Sequence, residues 1–151
     1  MQNFAAEIIS SLAGMPDFLR RPALSRRLAE FFEMGPEERS QVVSDALEAG
    51  HRVPFPDFAR LLGTWLEAMA AMPPARREEL FAEYVRQAAA RPGLLAPYNM
   101  DGMMGVFAGI GEEHREALAG TVAAVAARLD PEQRRVLRLV VPDAASEALG
   151  I

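Results

Sequence analysis

The residues with the most accessible chemistry are two histidines, the only side chains here whose ordinary pKa lies near neutrality. His114 stands among Glu112, Glu113 and Glu116. A metal site on one helix needs ligands three or four places apart on a single face. His114 has Ala117 and Leu118 at those places, so the zinc-protease and di-iron spacings are both missing. His51 follows Gly50 and reads as a histidine near a helix end. Ser10, Ser11, Ser25, Ser40, Ser44 and Ser146 sit in no nucleophile-elbow motif, and no serine triad is visible. Glu79 with Glu83, and Glu112 with Glu116, share a helix face, and such pairs in an acidic chain read as solvated surface. The sequence therefore assigns no catalytic residue, no metal and no cofactor, and the expectation is a protein that is not an enzyme.

Met100, Met103 and Met104 could hold copper(I) through their thioethers. At helical spacing beside Val106 and Phe107 they read better as an adaptable packing or contact surface. Gly102, Gly105 and Gly109 leave one side of that segment bare, which suits close helix packing. Arginines recur in pairs, and Arg20, Arg21, Arg26 and Arg27 fall within eight positions. That stretch is the one locally basic region, and it suits phosphate, RNA or an acidic protein. A net charge of −5 argues against general nucleic-acid binding. Partner binding through Arg20, Arg21, Arg26, Arg27, Met100, Met103 and Met104 is the leading expectation. The alternative is an apolar pocket between helices, lined by Phe58, Trp65, Tyr84 and Met104, that holds a small molecule or cofactor.

Composition narrows the frame around these residues. At 151 residues the chain suits one helical domain, 1–151. A domain of this size buries about 70% of the surface its unfolded chain exposes, so it needs no disulfide or metal to fold. There is no cysteine, which removes thiol catalysis and cysteine zinc sites. All 16 basic residues are arginine, which removes every mechanism built on a lysine. No run of apolar residues is long enough to span a bilayer. Residues 1–12 carry Glu7 and no basic leader, so a cytoplasmic protein is expected.

Apolar spacing and stop signals place the helices. Phe4, Ile8, Ile9 and Leu12 form one stripe, ended by Gly14. A turn over 16–21 leads to a helix opened by Pro22, with Leu24, Leu28, Phe31 and Phe32 inward. Pro36 opens a helix that buries Val42, Val43, Ala46 and Leu47 and ends at Gly50. After a loop over 50–56, Asp57 caps a helix with Phe58, Leu61, Leu62, Trp65, Leu66 and Met69 inward. The helix over 74–90 buries Leu80, Phe81, Tyr84 and Val85, with Arg76, Arg77, Glu78, Glu79 and Glu83 on its polar face. Residues 91–99 are the longest irregular stretch and the best candidate for a functional loop. Asn99 or Asp101 starts a helix to Ile110, residues 112–129 form another, and Asp130 with Pro131 start the next. Pro142 and Asp143 open a last turn or two, closed by Gly150.

The strongest pattern is a rhythm of nineteen. From Met15, steps of nineteen reach Met34, Val53, Met72, Arg91, Ile110, Leu129 and Ala148, each followed within two places by proline or glycine. An apolar stop, a turn residue, an acidic first turn and an arginine recur, as in Met34-Gly35-Pro36-Glu37-Glu38-Arg39 and Ile110-Gly111-Glu112-Glu113-His114-Arg115. One helix cannot bury its stripe alone, so neighbours must stack. The fold expected is all-α: an array of about seven to nine short helices in helical-hairpin repeats, a short superhelix or a compact bundle. The junctions in 129–150, with Asp-Pro-Glu-Gln-Arg-Arg and Val-Pro-Asp-Ala-Ala, resemble units of two helical superhelix families. These are the N-terminal domain of MgtE-type magnesium channels and the flagellar-motor protein FliG. The resemblance covers helix junctions, about a third of the chain, and implies a helical superhelix without carrying over a magnesium ligand or a motor contact. The function expected is a protein-binding module: an adaptor, an assembly factor or a subunit of a larger complex, with self-association left open.

Overall fold

Corners fall where the backbone cannot continue a helix, and here they fall in step. The computed structural model describes residues 4–140; the expected turns between Pro142 and Gly150 lie outside the described residues, as do the side chains of Phe4 and Val140. Among the described residues there are eight helices: α1 (Phe4–Ala13), α2 (Asp17–Phe31), α3 (Pro36–Gly50), α4 (Phe55–Ala70), α5 (Pro74–Ala90), α6 (Met100–Gly109), α7 (Glu112–Ala127) and α8 (Pro131–Val140). A single 3₁₀ turn, Pro92–Leu94, lies between α5 and α6. No strand occurs among the described residues, and the all-α expectation holds.

The frame of nineteen is a frame of helix starts. The carbonyls of Pro16, Gly35, Pro54, Pro73, Gly111 and Asp130 each accept from the amide four residues on, at 3.0–3.1 Å. Proline and glycine suit this place because its backbone is extended, with φ near the value that proline's ring pre-sets and that glycine adopts freely. The fifth place on the frame is Pro92, which opens the 3₁₀ turn instead. There the helix start slips to Asn99, whose side chain accepts from the Gly102 amide at 2.9 Å. The last start is a reciprocal capping box. The Gln133 amide donates to Asp130 Oδ1 at 2.7 Å, and the Asp130 amide donates to Gln133 Oε1 at 3.1 Å.

Two starts differ from expectation. The second helix begins at Asp17, so Pro22 lies inside α2. A proline there removes the bond to the carbonyl of Phe18, at a place where both residues are exposed to solvent. The fourth helix begins at Phe55, with Asp57 in its first turn, because Pro54 already provides the start.

Contacts run between helices that are not neighbours in the chain. α1 packs on α3, α3 on α5, and α5 on α7; α2 packs on α4, and α4 on α6. Three helices also reach the third one ahead: α1 touches α4, α4 touches α7, and α5 touches α8. Leu24, Leu28, Phe31, Val43, Leu47, Leu61, Met69, Leu80 and Leu118 form the continuous core along this array. Val42, expected inward, is 38% exposed, because Val43 and Leu47 take the α3 stripe. The α5 polar face is also less solvated than expected. Glu83 is buried, and Arg77 turns back to the preceding helix.

Candidate functional site

Four places after five of the frame carbonyls, those of Pro16, Gly35, Pro73, Gly111 and Asp130, an arginine lies in the first turn of its helix, beside the end of the helix before. Arg20 donates to the carbonyl of Leu12 at 2.9 Å and to that of Met15. Arg39 donates to Phe31 and Phe32 at 3.1 and 3.0 Å, its guanidinium over both rings. Arg77 donates to Ala70 and Met72 at 3.2 and 2.8 Å, and to Thr121 of α7 at 3.1 Å. Arg115 donates to Ala108 and Ile110 at 3.0 and 2.5 Å, and Arg134 to Ala126 at 2.9 Å. A helix ends with unsatisfied carbonyls and a negative dipole end, and a guanidinium answers both.

This bears directly on the arginines expected to meet a partner. Arg20 is 2% exposed and pairs with Asp17 at 2.6 Å, so it closes α1 and offers nothing to a partner. Arg21 bridges to Glu67 of α4 at 3.3 Å. Arg26 and Arg27 stand on the exposed side of α2. Arg27 reaches Glu30 at 3.4 Å, and Arg26 has no ion pair among the described residues.

Arg26 and Arg27 also line a groove between α1 and α2. Its floor is Ile8, Leu12, Met15 and Ala23; its rim is Glu7 and Ser11 on α1, and Arg26, Arg27 and Glu30 on α2. Leu19, one turn before Ala23 on the same helix side, is 49% exposed, and its neighbour Phe18 is 76% exposed. Both add exposed apolar surface to α2 outside the lining of the groove. A floor of aliphatic side chains between charged rims is the surface an amphipathic helix recognises.

No family model, curated protein or solved structure matches the chain. The likeness to superhelix junctions therefore rests on the junction residues, and it assigns no role to any side chain.

A second concave region lies over α3 and α5, lined by Pro36, Glu37, Ser40, Gln41, Ser44 and Gln87. Beneath it α3 and α5 meet through polar groups. Glu83, 5% exposed, accepts from Ser40 Oγ at 2.7 Å and Gln87 Nε2 at 3.1 Å, and pairs with Arg86 at 2.7 Å. Arg91 bonds Ser44 Oγ at 3.0 Å and Glu48 at 2.8 Å. Every buried polar side-chain atom among the described residues has a partner. A satisfied seam of this kind ties two helices together.

Of the aromatic residues expected around a pocket, Trp65 and Tyr84 pack on each other, edge-on at 5.3 Å, and Phe58 packs on Tyr98 at 5.8 Å. Trp65 and Tyr84 fill core space against the aliphatic cluster. Burial pushes the Tyr84 hydroxyl up to about 12. Met100, Met103 and Met104 are half-buried on α6, a helix with no fully buried residue, packed on α4. Of its glycines, Gly102 lies against the Phe55 ring, while Gly105 and Gly109 face open space. Close packing was therefore rightly expected at one of the three. Among the described residues no three histidines or carboxylates come together as a metal site, and no helix is long and apolar enough to cross a membrane.

The residue that sequence reasoning missed is Tyr98. Its hydroxyl donates to the carbonyl of Leu47, 2.7 Å away at the end of α3. His51 packs edge-on against its ring at 5.7 Å. Burial, and then the nearby Tyr84 hydroxyl, push its pKa well above the usual tyrosine range.

Proposed function

We propose that this chain is a cytoplasmic, non-enzymatic protein-binding module, an adaptor or subunit that engages another protein at the α1–α2 end of its array. The groove there carries the reading. It sets an aliphatic floor between charged rims, on a helix that also exposes Phe18 and Leu19. Soluble surfaces seldom combine these unless something docks on them. Stacked short helices also suit the role, since they bury a core inside the array and turn their outer faces to partners. The α3–α5 seam fits an enzyme poorly, because its carboxylate is committed to three donors.

The test is capture from the source cell with the wild-type chain and with Ser11→Trp, which fills the groove from an exposed rim position. Circular dichroism first checks that the variant keeps its helices. A stoichiometric partner held by the wild type and lost by Ser11→Trp supports the reading. The same partner held equally by both, or none held by either, overturns it.

A further inference from the structure

Outside the groove, α2 turns another surface to solvent. Phe18, Leu19, Pro22, Ser25 and Arg26 are all exposed. Around Pro22 they stand four and three places before and three and four places after, so they form one patch on one helix face. Leu24, Leu28 and Phe31 take the opposite face into the core. Phe18 at 76% and Leu19 at 49% leave large apolar side chains in water, and the patch holds no acidic residue. Its one charge, Arg26, makes no ion pair among the described residues. Of the five, Arg26 alone also lines the groove, at its rim.

The two halves of this patch are complementary. Before Pro22 lie an exposed aromatic ring and a carbonyl, that of Phe18, to which Pro22 offers no amide. After Pro22 lie a small hydroxyl side chain and a guanidinium without an anion. A guanidinium stacks on an aromatic face and donates to a carbonyl oxygen. Within one helix the two cannot meet, because Phe18 and Arg26 are about 12 Å apart along the axis. A two-fold axis through Pro22 brings them together twice.

We infer that α2 pairs with α2 of a second copy of this chain, antiparallel and crossing at Pro22. Each Arg26 lies over the other copy's Phe18 ring and donates to its carbonyl. Each Leu19 falls beside the other copy's small Ser25, large against small. A crossing at Phe18 would stack the two rings, but α2 begins at Asp17, so most of the helix and all of Arg26 would lie outside the contact. An unrelated protein would have to bring a cation and a hollow for Leu19 in the right order, and a second copy has both by symmetry. One helix face covers less than the ~1,600 Å² of a standard interface, so the pair is weak, with a Kd on the order of 10–100 µM.

Sedimentation velocity of the full chain, from about 5 to about 500 µM, reads the pairing as a mass that rises from one chain towards two. Phe18→Ser and Arg26→Glu each raise the Kd at least about tenfold, while circular dichroism stays that of the wild type because both positions are exposed. Ser11→Trp, which fills the groove, leaves the mass curve unchanged, so the pairing and the groove's protein-binding role are read separately. The chain has no cysteine, so introduced thiols report the register. Under mild oxidation, Leu19→Cys mixed with Ser25→Cys forms a disulfide faster than either variant alone, since the crossing sets those two positions within bonding reach. A mass that stays at one chain, a dimer that Phe18→Ser leaves intact, or thiols that join no faster in the mixture overturns the inference. A chain that stays single while Phe18→Ser loses a captured cellular protein gives this face to a different protein, and that also overturns it.

Discussion

Five junctions of the array are closed by an arginine of the incoming helix, and two are not. Arg20, Arg39, Arg77, Arg115 and Arg134 occupy one frame of nineteen; at the two remaining places the sequence has Phe58 and Ala96. Behind Phe58 the end of α3 is held by Tyr98, fifty-one residues from Leu47. Behind Ala96 the chain runs through the 3₁₀ turn, and Arg91 turns away to α3. A capping arginine is local, because it reaches back only five to eight residues. Tyr98 is remote, and its bond ties the irregular segment 91–99 to α3. The comparison shows one structural need, a partner for helix-end carbonyls, met once per repeat in most of the array and by a long-range contact at its break.

The largest effect is expected at an arginine junction. Arg20→Met leaves the carbonyls of Leu12 and Met15 without their donor in a buried place, and denaturant midpoints should show a loss of about 3 kcal/mol. A loss under about 1 kcal/mol makes the caps incidental. At the remote junction the sharpest change is Gly50→Ala, whose new methyl would press on the Tyr98 hydroxyl and displace the ring. It should cost about 2 kcal/mol. Removing only the hydroxyl, by Tyr98→Phe, costs about 1 kcal/mol.

The same tyrosine gives a pH test. The folded pKa values of Tyr84 and Tyr98 are raised, so the folded state favours the protonated phenols. Their contribution is whole below the ordinary tyrosine pKa of about 10 and declines as pH rises from there through about 12, where Tyr84 titrates. Urea melts across that range should show stability falling with pH, with a shallower fall in Tyr98→Phe. The smallest effect is at the other gap. Ala96 is exposed, and no α-helix starts at its place on the frame. Ala96→Arg should leave stability within about 0.5 kcal/mol of the wild type.

The corners were visible in the sequence because proline and glycine act on their own backbone. The arginine after each corner was visible as part of a pattern, but its job was not. Arg20 reads as half of a basic pair, and only a folded turn shows that it points back at Leu12. Glu83 misled for the same reason, since an acidic residue on a charged helix looks solvated until Ser40 of α3 arrives beside it. Tyr98 carried no signal, because nothing local links it to Leu47. Of the groove, Ile8 and Leu12 were seen as a stripe and Arg26 and Arg27 as a basic region. That they share one surface depends on how α1 meets α2, which residue spacing does not state.

The most direct test of this two-way division is hydrogen exchange, followed along the chain, in Tyr98→Phe. The account predicts faster exchange confined to the end of α3, the start of α4 and residues 91–102, with the arginine-closed junctions protected as in the wild type. Faster exchange spread evenly through all eight helices, or no change near α3, would contradict it.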